Sequence, residues 1–225
     1  MDSGSIPVLR QRASPRDPNL LLILPLPPPQ SVHLINVARP MSRHVLQVVY
    51  DGRVFRSKTE ARWACCFNAL GVAYQHEPTV FRFERGEGRL AHYKPDFYLP
   101  ELEVWLEIKN EGTRPPDLVA CWKAHRLALA THQPVYVFFG EPMGLRTLRC
   151  GNAYRYDPHD GGVTRCHQFT QCPRCSRIDV APYGLASGVR CACEWGEADF
   201  SNAGCVALVE ATATARRHRF RTLGQ

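Results

Sequence analysis

The chain has 225 residues, 44% of them apolar, enough for one ordinary domain with a smaller unit beside it. Its net charge of +7 and pI near 9.0 suggest an anionic partner, nucleic acid before a membrane surface, unless the charge serves solubility alone. No apolar run approaches the roughly 20 residues of a membrane span. The short run at 20–24 meets Pro25 and Pro27-Pro28-Pro29 with no small-residue cleavage site, so it does not read as an export signal.

Residues 1–40 are rich in Pro, Ser and Arg, lack period and are expected to be disordered. Met41 follows directly and is a candidate for the true start. Residues 45–51 read as a strand, with Asp51-Gly52 as a turn. Ser57-Lys58-Thr59-Glu60 has the form of a capping box, so a helix is expected from there to Leu70, stopped by Gly71. Its apolar stripe is Trp63, Ala64, Phe67 and Leu70. Three strands are expected near 79–83, 90–98 and 102–109. Pro115-Pro116-Asp117 leads into a second helix over 118–131, and the apolar run 135–139 reads as a buried strand. The composition shifts near residue 160, four cysteines follow among turn formers, and a last helical pattern covers 203–219.

Alternation in 102–109 puts Leu102, Val104, Leu106 and Ile108 on one face and Glu103, Trp105, Glu107 and Lys109 on the other. Asp96 precedes the turn around Pro100-Glu101, so it can lie across a hairpin from Glu107 and Lys109. An ordinary solvated sheet face would also carry Glu and Lys. Glu60 distinguishes the readings, because Glu60, Ala64 and Phe67 fall at i, i+4 and i+7. That places the carboxylate at the head of the apolar stripe, where it needs a partner. A divalent ion shared with Asp96 and Glu107 would be one.

These residues carry a resemblance. The segment 55–140 resembles the PD-(D/E)xK nuclease superfamily, particularly its small phage and bacterial resolvase-like members. The similarity lies in Phe55-Arg56-Ser57-Lys58-Thr59-Glu60, Tyr93-Lys94-Pro95-Asp96-Phe97 and Trp105-Leu106-Glu107-Ile108-Lys109. It implies a restriction-endonuclease-like αβββαβ core over 41–150 with a mixed central sheet. It implies Glu60, Asp96 and Glu107 as ligands of Mg²⁺ or Mn²⁺, with Lys109 steadying the attacking water. The activity implied is endonucleolytic hydrolysis of DNA, branched or otherwise structured DNA included, and a homodimer would suit cutting of both strands. His76 and Glu77 read as structural, or at most as modulating.

Ten cysteines without an export signal are expected to be core residues or metal ligands of a cytoplasmic protein. Cys172, Cys175, Cys191 and Cys193 form C-x2-C-x15-C-x-C, close to a closed four-thiolate Zn²⁺ site of structural type. Cys166 or His167 could replace a ligand. The pattern resembles a zinc ribbon and suggests a small module over 160–225 with a basic C-terminal helix. Cys65, Cys66 and Cys121 read as core. Arg216, Arg217, Arg219 and Arg221 are either favourable charges at a helix C-terminus or contacts to nucleic-acid phosphates. The whole is expected to be an α/β nuclease. The alternative is a zinc-ribbon nucleic-acid-binding protein whose nuclease core is degenerate.

Overall fold

The structure is a computed structural model in which residues 47–86, 88–110, 118–142, 153–182, 188–193 and 205–223 are described, the side chains of 118–121 excepted. The expectations for residues 1–40, Met41 and Pro115–Asp117 lie outside them.

Strands β1 (Gln47–Tyr50) and β2 (Arg53–Phe55) form a hairpin through Asp51 and Gly52, both at positive φ. Helix α1 (Lys58–Leu70) starts where the sequence places it. The Ser57 hydroxyl accepts the Glu60 amide, and Gly71 at φ 67° closes the helix, its amide reaching the Asn68 and Phe67 carbonyls. Then come β3 (Gln75–His76), β4 (Phe81–Glu84), β5 (Leu90–Tyr93), β6 (Phe97–Leu99) and β7 (Val104–Lys109). Helix α2 (Leu118–Thr131) leads to β8 (Val135–Phe139), followed by β9 (Ala153–Tyr156), β10 (Val163–Gln171) and β11 (Ile178–Pro182). Helix α3 (Val206–Arg217) and β12 (Arg221–Leu223) complete the order.

The central sheet is seven-stranded and mixed, in the order β11-β10-β9-β8-β7-β6-β3. Only β7 and β8 run parallel, with Glu107 opposite Val137 and Lys109 opposite Phe139. A parallel pair needs a long crossover, and α2 is that crossover. Taken alone, the sheet strands between Phe55 and Gly140 give the order α1-β3-β6-β7-α2-β8. The composition shift near residue 160 does not end this sheet, since β10 and β11 continue it. Strand β12 pairs with β1 in a separate three-stranded sheet, β12-β1-β2.

Two of the expected strands are placed differently. The run 90–98 divides at Lys94-Pro95: β5 pairs with β4 as a detached hairpin, and β6 joins the central sheet. Proline has no N–H to give a ladder, so a strand breaks there. The segment near 79–83 therefore lies outside the central sheet, whose first strand after α1 is the two-residue β3. Leu102 and Glu103 belong to the β6–β7 turn, Glu103 at φ 52°, and β7 begins at Val104. Strand β7 is buried along both faces except at Lys109, so it is an interior strand and not a solvated one.

One face of the sheet packs on α1, through Phe55, Trp63, Phe67, Phe97, Leu106, Phe138 and Phe169. The other packs on α2 and the β4–β5 hairpin, through Phe81, Phe83, Trp105, Leu127, Val135 and Val137. Cys65 and Cys66 are core residues as expected, buried against Ala211 and Ala215 of α3. Helix α3 ends at Arg217, two residues before the expected limit, with His218 extended at φ −62° and ψ 131°. No helix among the described residues is long and apolar enough to cross a membrane.

Phe67 has no exposed surface and touches the rings of Trp63, Tyr74, Phe97 and Phe169. Phe67→Ala is expected to lower unfolding free energy by about 3–5 kcal/mol, read as a drop in denaturant midpoint without a change in slope. A loss below about 1 kcal/mol would show that α1 is not seated on this core.

Candidate metal centres

Three elements bring acidic side chains to the end of the β6–β7 hairpin. Glu60 comes from the first turn of α1. Its Oε1 accepts the Ser57 hydroxyl at 2.9 Å while Ser57 accepts the Glu60 amide at 3.1 Å, so the cap fixes the carboxylate. Asp96 sits just before β6, one step beyond the Phe97–Leu106 pair. Its Oδ2 accepts the Ile108 amide at 2.7 Å, and its Oδ1 accepts Arg56 Nη2 at 3.2 Å. Glu107, in β7, pairs with Lys109 through Oε1. Glu60, Asp96 and Glu107 are 7%, 3% and 8% exposed, which is unusual for charged side chains.

Several polar atoms here are buried without a hydrogen-bond partner. They are Glu60 Oε2, Glu107 Oε2, the Tyr93 hydroxyl and His76 Nε2. His76 Nε2 lies 3.7 Å from Glu60 Oε2, too far for a hydrogen bond. Tyr93 is beside Glu107 without good bonding geometry. Burial, then the charges of Glu107 and Glu60, push the Asp96 carboxyl well above its usual range, against the Ile108 amide and Arg56. Burial also pushes Glu60 up, but the nearby His76, the Ser57 hydroxyl and the charge of Arg56 outweigh it and hold Glu60 low. Arg56 feels Glu77, Asp96, Glu60 and Glu107, which together raise its pKa against partial desolvation.

Sequence reasoning did not single out Arg56 and Tyr93, while His76 and Glu77, read as structural or at most modulating, lie beside the acids as their neighbours and ion-pair partners. Glu77, at φ 45°, takes Arg56 at 2.7 Å and Lys94 by a second ion pair. Arg56 stands immediately before the helix cap, and that position was the available signal.

The acids do not form a tight cage. Among the described residues, only Cys172, Cys175, Cys191 and Cys193 place ligand atoms all within 4.8 Å of one another. The four expected cysteines are therefore brought together, and neither Cys166 nor His167 joins them. His167 is instead buried against Tyr136. Cys172 directly follows β10 in a tight turn, where the Cys175 amide reaches Cys172 Sγ at 3.4 Å and the Cys172 amide reaches the Arg177 carbonyl at 2.8 Å. Burial raises the Cys172 thiol, but the Cys175 and Arg174 amides and the neighbouring thiols bring it down to about 7. Four soft sulfur ligands converging on one point suit a tetrahedral Zn²⁺ and leave no open position. Cys121 and Cys150 lie outside the described side chains.

Arg216, Arg217, Arg219 and Arg221 are all exposed. They are not beside the acids. His218 and Phe220 pack on Tyr50, whose hydroxyl accepts Asn68 near the far end of α1. Asn68 is about 12 Å along the helix from Glu60.

No family model matches the chain, and neither a curated protein nor a solved structure is significantly similar to it.

Two outcomes are expected. In chelator-treated protein, a carboxyl raised on folding binds more protons folded than unfolded. Asp96 therefore subtracts stability as pH rises from its unfolded value near 3.8 through its raised folded value. Asp96→Asn should remove that decline, so the variant's Tm should gain on wild type across this window. A constant Tm difference would show that Asp96 does not titrate high. For the cysteines, purified protein should carry one Zn²⁺ per chain by elemental analysis, and Cys175→Ala or Cys193→Ala should lose it.

Proposed function

We propose that the protein is a divalent-metal-dependent endonuclease of the PD-(D/E)xK type that hydrolyses DNA phosphodiesters at Glu60, Asp96, Glu107 and Lys109. The observation that carries the reading is the set of buried oxygens without partners, Glu60 Oε2 and Glu107 Oε2, beside an Asp96 whose ionisation its neighbours oppose. Buried carboxylates of like charge call for a cation, and hard oxygen donors suit Mg²⁺ or Mn²⁺. The order α1-β3-β6-β7-α2-β8, with β7 and β8 parallel, agrees with a restriction-endonuclease-like αβββαβ core.

Bound there, the ion would supply a water of lowered pKa and a positive charge on the scissile phosphate. The residues of the chain do the rest. Ser57 holds Glu60 in place, and the Ile108 amide orients Asp96. Lys109, adjacent to Glu107, offers an ammonium to the attacking water and to charge developing on phosphorus. Arg56 must leave Asp96 before that carboxylate can take a cation. Glu77, its closer partner at 2.7 Å against 3.2 Å, can keep it. Water attacks directly, without a covalent enzyme intermediate. The four-cysteine site holds Zn²⁺ as a structural ion. The exposed arginines 216, 217, 219 and 221 supply sequence-independent phosphate contacts. The partner is DNA in a cytoplasmic setting, with a dimer wherever both strands are cut.

One observation favours a second reading. Arg56 on Asp96 already neutralises part of the acidic group, as a degenerate core in a zinc-dependent nucleic-acid-binding protein would.

The test is a panel of linear, nicked, flapped, four-way-junction and single-stranded DNA, with RNA, in Mg²⁺ or chelator. Wild type should cut at least one substrate with metal. Asp96→Ala and Lys109→Ala should bind equally but cut at least about 100-fold more slowly. If all three bind and none cuts, the binding-only reading stands.

A further inference from the structure

We infer that Arg190 is a positioning residue that carries the order of the cysteine cluster to the turn of the acidic hairpin. Arg190 directly precedes Cys191. Its backbone amide and its Nε both donate to Asp179 Oδ2 at 2.9 Å, and its Nη2 donates to Oδ1 at 2.9 Å. The same Nη2 reaches the Leu102 carbonyl at 2.6 Å. Asp179 has no exposed surface and also accepts the Val180 amide at 2.8 Å, so the anchor is fixed in β11. Arg177, from the turn that carries Cys172 and Cys175, approaches the neighbouring Glu101 carbonyl at 3.5 Å. Each cysteine pair thus sends an arginine to one carbonyl of the β6–β7 turn.

That turn joins Asp96 to Glu107. Beyond the Leu99–Val104 pair it has two local bonds of its own, Leu102 amide to Leu99 carbonyl at 3.2 Å and Glu103 amide to Pro100 carbonyl at 3.3 Å. A cavity of about 440 Å³ lined by Glu101, Leu102, Arg177 and Ile178, among others, opens beside it. The cavity leaves that side of the turn open, so the turn is held by Leu102 in the core and by the guanidinium on its carbonyl. A planar fork can hold a carboxylate and a carbonyl together, which an ammonium at one point cannot. Segment 188–193 is tied to β11 through Asp179 and to the turn after β10 through the cysteines. Metal at the cysteines fixes Cys191, Cys191 fixes Arg190, and Arg190 fixes Leu102. The inference rests on the zinc reading of the cysteines and is independent of nuclease activity.

The test is amide hydrogen exchange on the full chain, zinc-loaded and chelator-stripped, for wild type and Arg190→Lys. Loaded Arg190→Lys should keep its zinc. Its exchange at Leu102, Glu103 and Ile108 should rise at least about tenfold, the value of one charged hydrogen bond. The β4–β5 hairpin should not change. Stripping wild type should give the same local rise, and Arg190→Lys should add nothing further to stripped protein. Asp179→Asn/Arg190→Met, which removes the anchor without leaving a buried charge, should behave like Arg190→Lys. Unchanged exchange at the turn in loaded variants overturns the inference with the zinc reading intact. Equal, additive effects of stripping and substitution overturn it as well. Absence of zinc from purified wild type instead overturns the metal reading beneath it.

Discussion

The bond from the Ile108 amide to Asp96 Oδ2, 2.7 Å long, is the contact around which the acidic group is arranged. It extends the β6–β7 pairing by one step past the last register pair, Phe97 with Leu106. A backbone amide that would otherwise need a strand partner is given to a carboxylate. The carboxylate is thereby drawn under the end of α1, where it has almost no water. An unpaired charge in that position would be too costly to keep. Arg56, from the residue before the helix cap, answers part of that cost with Glu77 behind it, while Glu107, itself paired with Lys109, adds to it.

The group has three ways to satisfy its charge, and they compete. Asp96 can bind a proton, which its raised pKa favours. It can hold Arg56, as it does here. It can share a divalent cation with Glu60 and Glu107, which would use the two oxygens that the other arrangements leave without partners. Only the third arrangement gives Glu60 Oε2 and Glu107 Oε2 a partner at once. This is why two unbonded oxygens weigh more in the functional reading than the presence of three acids. Acids are common on protein surfaces, whereas buried acids lacking half their bonds are not.

What the sequence made legible is the local chemistry. Ser57 and Gly71 fix both ends of α1 through side-chain and backbone preferences that act within four residues. The cysteine spacing identifies its four members because a tetrahedral thiolate site demands two tight turns. The Asp96–Glu107 hairpin follows from alternation and a proline turn. The rest depends on pairings between distant residues. A two-residue strand such as β3 has no period to read, and its place opposite β6 comes from the turn at Glu77. The break at Pro95 was readable in principle, since proline cannot serve a ladder, but the hydrophobic pattern of 90–98 runs through it. Nothing local indicates that β9, β10 and β11 continue the sheet of β8, or that β12 returns to β1. Tyr93 acquires significance only from burial and Arg56 only from its ion pairs with Glu77 and Asp96, which pattern does not give.

The continuity of the sheet alters what a cysteine site can do. The chain between Cys175 and Cys191 contains β11, the outermost strand of the central sheet. A metal held by both cysteine pairs would close that loop and bind the edge strand to β10 by more than its five register pairs. Closing a loop removes chain entropy from the unfolded state, and it also protects an edge from opening. Asp179, in the middle of that strand, is where the loop's arginine is anchored. A closed metal site placed at a surface tip would stabilise only its own turns. Placed across the last strand of a shared sheet, it can act on a hairpin four strands along the sheet order, because Arg190 touches both Asp179 of β11 and the Leu102 carbonyl.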